Sequence, residues 1–110
     1  MNERDRARQM AGLGIVSERH DGVQVITLNG ELDIDGAPRL EDELRRAEES
    51  DASSIVVDLG QLDFIDSTGI RMLVMAAERV PDGRLSILPG PAQVQRVFEI
   101  TDLTDRLPFA

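Results

Sequence analysis

Ile-Val-Val-Asp-Leu-Gly-Gln-Leu-Asp-Phe-Ile-Asp-Ser-Thr-Gly-Ile-Arg-Met-Leu-Val, residues 55 to 74, runs a strand signal into a helix signal and sets two hydroxyls at the join. Ile55, Val56 and Val57 form a β-branched run closed by Asp58 and Gly60, which predicts a short strand covered on both faces. Beyond it Ile70, Leu73, Val74 and Ala77 recur at i, i+3, i+4 and i+7, the spacing of one helical face. Asp66, Ser67 and Thr68 are each able to cap that helix, because each offers an oxygen to an unpaired first-turn N–H. Ser67 therefore falls where the chain turns from sheet to helix, exposed and near the positive end of the helix dipole.

The flanking sequence extends the same alternation. Ile15 to Arg19 and Val23 to Leu28 bracket His20-Asp21-Gly22, whose Asp-Gly pair signals a hairpin. Asp35-Gly36-Ala37-Pro38 begins a helix with proline near its first position, and Leu40, Leu44 and Ala47 form its inner stripe. Glu41 to Arg45 and Asp42 to Arg46 are spaced as i,i+4 ion pairs on its solvent side. After the central unit, Pro81-Asp82-Gly83 breaks the chain and Leu85 to Leu88 reads as a strand. Pro89-Gly90-Pro91 is a stiff turn, Val94, Val97 and Phe98 give one face of a short helix, and Arg106 to Phe109 suggests a final edge strand. Residues 1–13 are charged and aperiodic and are expected to form a flexible N-terminal arm, with the domain spanning residues 14–110. The predicted fold class is α/β: a single domain with a mixed β-sheet opened by an antiparallel hairpin, and helices packed mainly on one face.

Composition narrows the function. The 110 residues carry 12 basic and 21 acidic side chains, a net charge of −9, and every basic residue is arginine. Phosphate backbones and anionic membranes are repelled by such a chain, so no nucleic-acid or membrane partner is expected. Three Phe with no Tyr or Trp leave no aromatic stacking platform and an aliphatic core. The absence of Cys excludes disulfides and thiolate metal sites. With one His, a metal would have to rely on carboxylates, and these show no calcium-loop spacing, so no metal or cofactor is expected. The longest apolar run, Met72 to Ala77, is too short to span a bilayer, and a cytoplasmic protein is expected.

Enzyme chemistry finds little support. A serine hydrolase needs a base beside the hydroxyl, and the single His20 falls in a hairpin turn. There is no Gly-x-Ser-x-Gly elbow and no Gly-Lys-Ser/Thr phosphate loop. Asp-Ser-Thr-Gly differs from the Asp-Thr-Gly of aspartic proteases by an extra residue and a following helix. A receiver domain phosphorylated on an aspartate, Asp58 for instance, is the better rival. Receivers, however, need a late lysine, and this chain has none. No enzyme is expected.

Three segments taken together, Gly30-Glu31-Leu32-Asp33, Asp58-Leu59 and Phe64-Ile65-Asp66-Ser67-Thr68-Gly69, resemble in order and spacing the STAS domain of bacterial anti-sigma-factor antagonists. The resemblance covers about Ile15 to Phe109. It implies a protein that binds an anti-sigma factor with serine protein kinase activity, of the histidine-kinase-like ATPase fold, and so frees a sigma factor for transcription. It implies phosphorylation at Ser67, with Thr68 as a secondary acceptor, and resetting by a phosphatase of the PPM type. Asp33 and Asp66 match acidic positions near that serine, and Gly69 matches a position taken to keep the helix start open to a partner. The partner-binding set is then Asp33, Asp66, Ser67, Thr68, Gly69 and Arg71. Arg71 departs from the pattern, since the family usually has a small residue there. Four residues after Ser67, it is placed to meet a phosphate on that serine or an acidic partner. The same resemblance implies a further helix after the last strand; the sequence stops at Ala110, so that helix is expected to be either missing or cut off. It also admits a STAS accessory subunit of a transporter or of a larger signalling assembly.

Overall fold

Asp21 and Gly22 both take positive φ, 50° and 84°, and turn the chain back in the two-residue connection that matches the twist of paired strands. The computed structural model describes residues 12–81 and 83–110. On either side of this turn run β1 (Leu13–His20) and β2 (Val23–Leu32), paired antiparallel from Leu13 opposite Gly30 to His20 opposite Val23. β3 (Ser54–Ile65) and β4 (Leu85–Leu88) then add in parallel, giving one sheet in the order β1-β2-β3-β4. Parallel neighbours require crossovers, and these are α1 (Ala37–Glu48) between β2 and β3 and α2 (Ser67–Arg79) between β3 and β4. α3 (Ala92–Ile100) follows β4.

All three helices cover the same face. Leu40 and Leu44 of α1, Ile70 and Leu73 of α2, and Val94 and Phe98 of α3 share one buried cluster with Ile26, Leu28, Ile55, Val57 and Ile87 of the sheet. Phe109 closes it, meeting Phe98 edge to face at 5.2 Å between ring centres. Strands in sequence order joined by crossovers of one hand must place their helices on one side. The same order separates this fold from doubly wound receivers, whose strand sequence reverses at a switch point.

Several expectations need correction. β3 does not stop at Asp58–Gly60 but continues to Ile65, because register shifts against β2 between Thr27 and Asn29 and between Gly30 and Glu31 absorb the turn-like residues within the strand. Nor is it covered on both faces: Ile55 and Val57 are buried, while Val56 lies between Val25 and Ser86 on the face without helices. Leu13, assigned to the arm, starts β1 and is 1% exposed. Gly12 of that arm also lies against the fold, its carbonyl accepting the Glu31 N–H at 2.7 Å; residues 1–11 lie outside the described residues, as does Asp82 of the expected chain break. Arg106 to Phe109 forms no strand. Thr104–Arg106 is a 3-10 turn, and a single bridge joins Ile87 to Phe109, since Pro108 has no N–H with which to extend a ladder. Arg46 pairs with Glu43 at 2.7 Å and not with Asp42.

Candidate functional site

The last ladder pair of β2 and β3, Leu32 and Ile65, fixes the site, because both strands end there and both crossovers start there. The Asp66 N–H donates to the Leu32 carbonyl at 3.1 Å, tying the β3–α2 junction to the loop that leads into α1. In that loop Asp33 accepts hydrogen bonds at Oδ1 from the N–H groups of Asp35 (3.0 Å) and Gly36 (3.2 Å). This is a local aspartate turn that starts α1. The loop that carries Asp33 is thus tied to the junction that carries Ser67, and the Asp33 carboxylate is used to shape that loop.

Of the three candidate caps, Asp66 is the one used. Its extended backbone precedes the first turn of α2, and its Oδ1 accepts the Gly69 N–H at 3.0 Å. Ser67 is thereby left as the first residue of the helix, exposed, and its hydroxyl makes no hydrogen bond with the described residues. Thr68 is half-buried and likewise unbonded among them. Gly69 does not keep the helix start open. It is buried, and a Cβ there would stand 2.7 Å from Leu32 Cγ and 3.0 Å from the Leu32 carbonyl oxygen. Glycine at this position lets the first turn of α2 seat directly on the end of β2.

Ser67, Arg71, Met75 and Glu78 form the exposed ridge of α2, three or four residues apart. On one side of the ridge is a shallow groove of about 420 Å³ floored by Ile70 and Val74 and closed by Leu103 and Arg106 of the C-terminal segment. On the other is a groove of about 290 Å³ lined by Ile34, Pro38, Thr68 and Met72. Three large apolar side chains stand out to solvent around this region: Ile34 at 66%, Met75 at 53% and Phe64 at 48%. Sequence reasoning missed all three. Met75 was detectable, because it interrupts the polar face of an otherwise amphipathic helix; Ile34 and Phe64 sit where no period applies.

Catalytic alternatives gain nothing from this geometry. His20 ends β1 at the opposite end of the sheet from Ser67, as its pairing with Val23 requires. Asp58, the receiver candidate, lies within β3 between Thr27 and Leu88, with its Oδ1 accepting the Gly60 N–H at 2.8 Å. No cluster of three metal-ligating side chains occurs among the described residues. No helix among them is long and apolar enough to cross a membrane.

The far end of α2 is built differently. Arg79 grips both carboxylate oxygens of Glu48 on α1, at 2.8 and 2.7 Å, and reaches Glu41 at 3.1 Å. The hydrogen bonds that the guanidinium donates to Glu48, and the two negative charges, hold it above its ordinary pKa despite the opposing effect of burial. Arg84 sends its guanidinium to the carbonyls of Glu48 (2.9 Å), Ser50 (3.2 Å) and Ala52 (3.1 Å), at and beyond the end of α1. Helix-terminal carbonyls that lack partners within the helix are satisfied this way.

Comparison with known proteins agrees with the architecture. The family model described as Mlab, STAS domain matches residues 15–108. An anti-sigma-B factor antagonist of Staphylococcus epidermidis is 32% identical over 95 residues, covering 84% of this chain and 88% of that protein. The anti-sigma-B factor antagonist of Staphylococcus aureus is 33% identical over the same shares. Among solved structures, an anti-sigma factor antagonist from Mycobacterium paratuberculosis superposes with a TM-score of 0.79 at 25% identity, over 88% of this chain and 84% of that one.

Proposed function

The chain belongs to the STAS domain family, and from that premise we propose that it is an anti-sigma-factor antagonist worked by phosphorylation at Ser67. Unphosphorylated, it docks through the β3–α2 junction on an anti-sigma factor that is also a serine protein kinase of the histidine-kinase-like ATPase fold, and a sigma factor is set free. The role is one of binding and not of catalysis. One observation carries the reading: an exposed Ser67 hydroxyl at the first turn of α2, unbonded among the described residues and flanked by two apolar grooves. The antagonist names of the relatives support it.

Phosphorylation switches the site by charge. The kinase's nucleoside triphosphate passes its γ-phosphoryl group to Ser67 Oγ; the bond to the leaving diphosphate breaks, the new P–O bond forms, and the hydroxyl proton goes to a base of the kinase. The product carries about −1.5 to −2 charges beside Asp33, Asp63 and Asp66. At ~6 Å and an effective dielectric of ~20, each like-charge pair repels by about 3 kcal/mol before salt screening. The helix N-terminus offsets only about 0.3–1 kcal/mol. Such a group is tolerated in water and resisted in a buried interface, so the complex separates. Hydrolysis by a PPM-type phosphatase restores the hydroxyl.

The test is to incubate the protein with the copurified ATPase and ATP and to map the phosphate by mass spectrometry. Label on Ser67, lost in Ser67→Ala, is expected. Label on Asp58, or stoichiometric label retained in Ser67→Ala, overturns the reading.

A further inference from the structure

Arg71 and Met75 are the two residues common to both grooves, and they form the crest between them. Among the described arginines Arg71 and Arg96 of α3 are without a hydrogen-bond or ion-pair partner, and Arg96 lines neither groove. Arg79 and Arg84 are committed to α1 and its exit, Arg106 pairs with Glu78, and Arg39 donates to the Leu13 carbonyl at 2.7 Å. Arg71 has no hydrogen-bond or ion-pair partner among the described residues and is exposed. The other charged groups of the two grooves are taken: Glu78 by Arg106, and Glu41 by Arg45 and Arg79. An unpaired guanidinium thus stands between two apolar clefts in a chain of net charge −9. It lies one helical turn after Ser67, on the same face.

We propose that Arg71 serves both states of the switch, holding a carboxylate of the docked protein while Ser67 is a hydroxyl and turning to the phosphate of its own chain once Ser67 is phosphorylated. The inference rests on Ser67 being the acceptor. The occupant it specifies is a partner segment with an acidic side chain between apolar ones: the carboxylate meets Arg71, and the apolar neighbours enter the grooves on either side of the crest. Complementarity of charge selects the acid, because Arg71 is the cation at the crest left without an internal partner among the described residues. Phosphorylation then acts twice. It adds a double negative charge where the interface would bury it, and it withdraws the cation that the partner had used. A phosphate at i and an arginine at i+4 can pair without rearranging the helix, so withdrawal needs only side-chain rotation.

The intramolecular half can be tested without the partner or the kinase. Phosphoserine is placed at position 67 by genetic encoding, and the second ionisation of its phosphate is followed by phosphorus NMR. With Arg71 present, the midpoint is expected about 0.3 pH unit below that of the Arg71→Ala protein, as an exposed i,i+4 pair implies. Arg71→Lys should recover part of the difference, and Arg106→Ala should leave the midpoint in place. Equal midpoints with and without Arg71, or a change in Arg106→Ala alone, overturn the pairing. For the docking half, Arg71→Ala with an unmodified serine should bind the anti-sigma factor about tenfold more weakly, and the ratio of unphosphorylated to phosphorylated affinity should shrink. Unchanged affinity and ratio overturn it. A kinase that never labels Ser67 would count against the proposed function while leaving the NMR result intact, so the two failures are distinguishable.

Discussion

The two ends of α2 are held by opposite means. At its C-terminal end Arg79 clasps Glu48 and Glu41, and nearby Arg84 serves the carbonyls at the exit of α1. At its N-terminal end one capping carboxylate, Asp66, and one backbone bond to Leu32 suffice, and two hydroxyls and a guanidinium are left without partners among the described residues. The polar groups at the first end have been spent on the fold, whereas those at the second remain available. A binding switch needs this asymmetry, since a surface that must accept a partner or a phosphate cannot also satisfy itself.

The contrast can be broken most strongly at Gly69, where the open end depends on the closest packing. Gly69→Val forces atoms against Leu32 and Ile65 and is expected to lower the unfolding free energy by about 3 kcal/mol, read from urea titration. At the stitched end, Arg84→Ala strips donors from the carbonyls of Glu48, Ser50 and Ala52 and should cost about 2 kcal/mol in the same assay. Asp66→Ala removes the single cap of α2, for an expected loss of about 1 kcal/mol. A loss there as large as that of Arg84→Ala would erase the distinction between the ends.

The smallest effect is one of pH, beside the exit of α1. A hydrogen bond from Arg19 and its positive charge hold the exposed Asp51 carboxyl below its ordinary value. A depressed carboxyl contributes stability that is present above its unfolded pKa of 3.8 and is lost as pH falls through the lower folded value. Arg19→Ala should therefore be slightly less stable than the parent near neutrality, by a margin that narrows in strong acid to what its bonds to Gln24 and Ser50 contribute. Thermal melts across that range check the sign.

What the sequence revealed followed the range of the interactions involved. The Asp21-Gly22 turn, the stripe Leu40, Leu44 and Ala47 and the helix after Ser67 are local patterns, and each stands in the structure where it was read. β3 was read too short because Asp58 and Gly60 form a local hydrogen bond that imitates a turn, and only pairing with β2, far away in sequence, shows the strand continuing. The interactions of Arg84 with carbonyls more than thirty residues away have no sequence signature at all. At the site, Asp66, Ser67 and Asp33 were legible as a cap, a hydroxyl and a loop acid. The burial of Gly69 was not, because it depends on where Leu32 packs.

The most direct measurement is the dissociation constant for the anti-sigma factor, determined in parallel for the protein with serine and with phosphoserine at position 67. The electrostatic account predicts at least about a tenfold loss of affinity on phosphorylation, equivalent to about 1.4 kcal/mol. Equal constants for the two forms would contradict it.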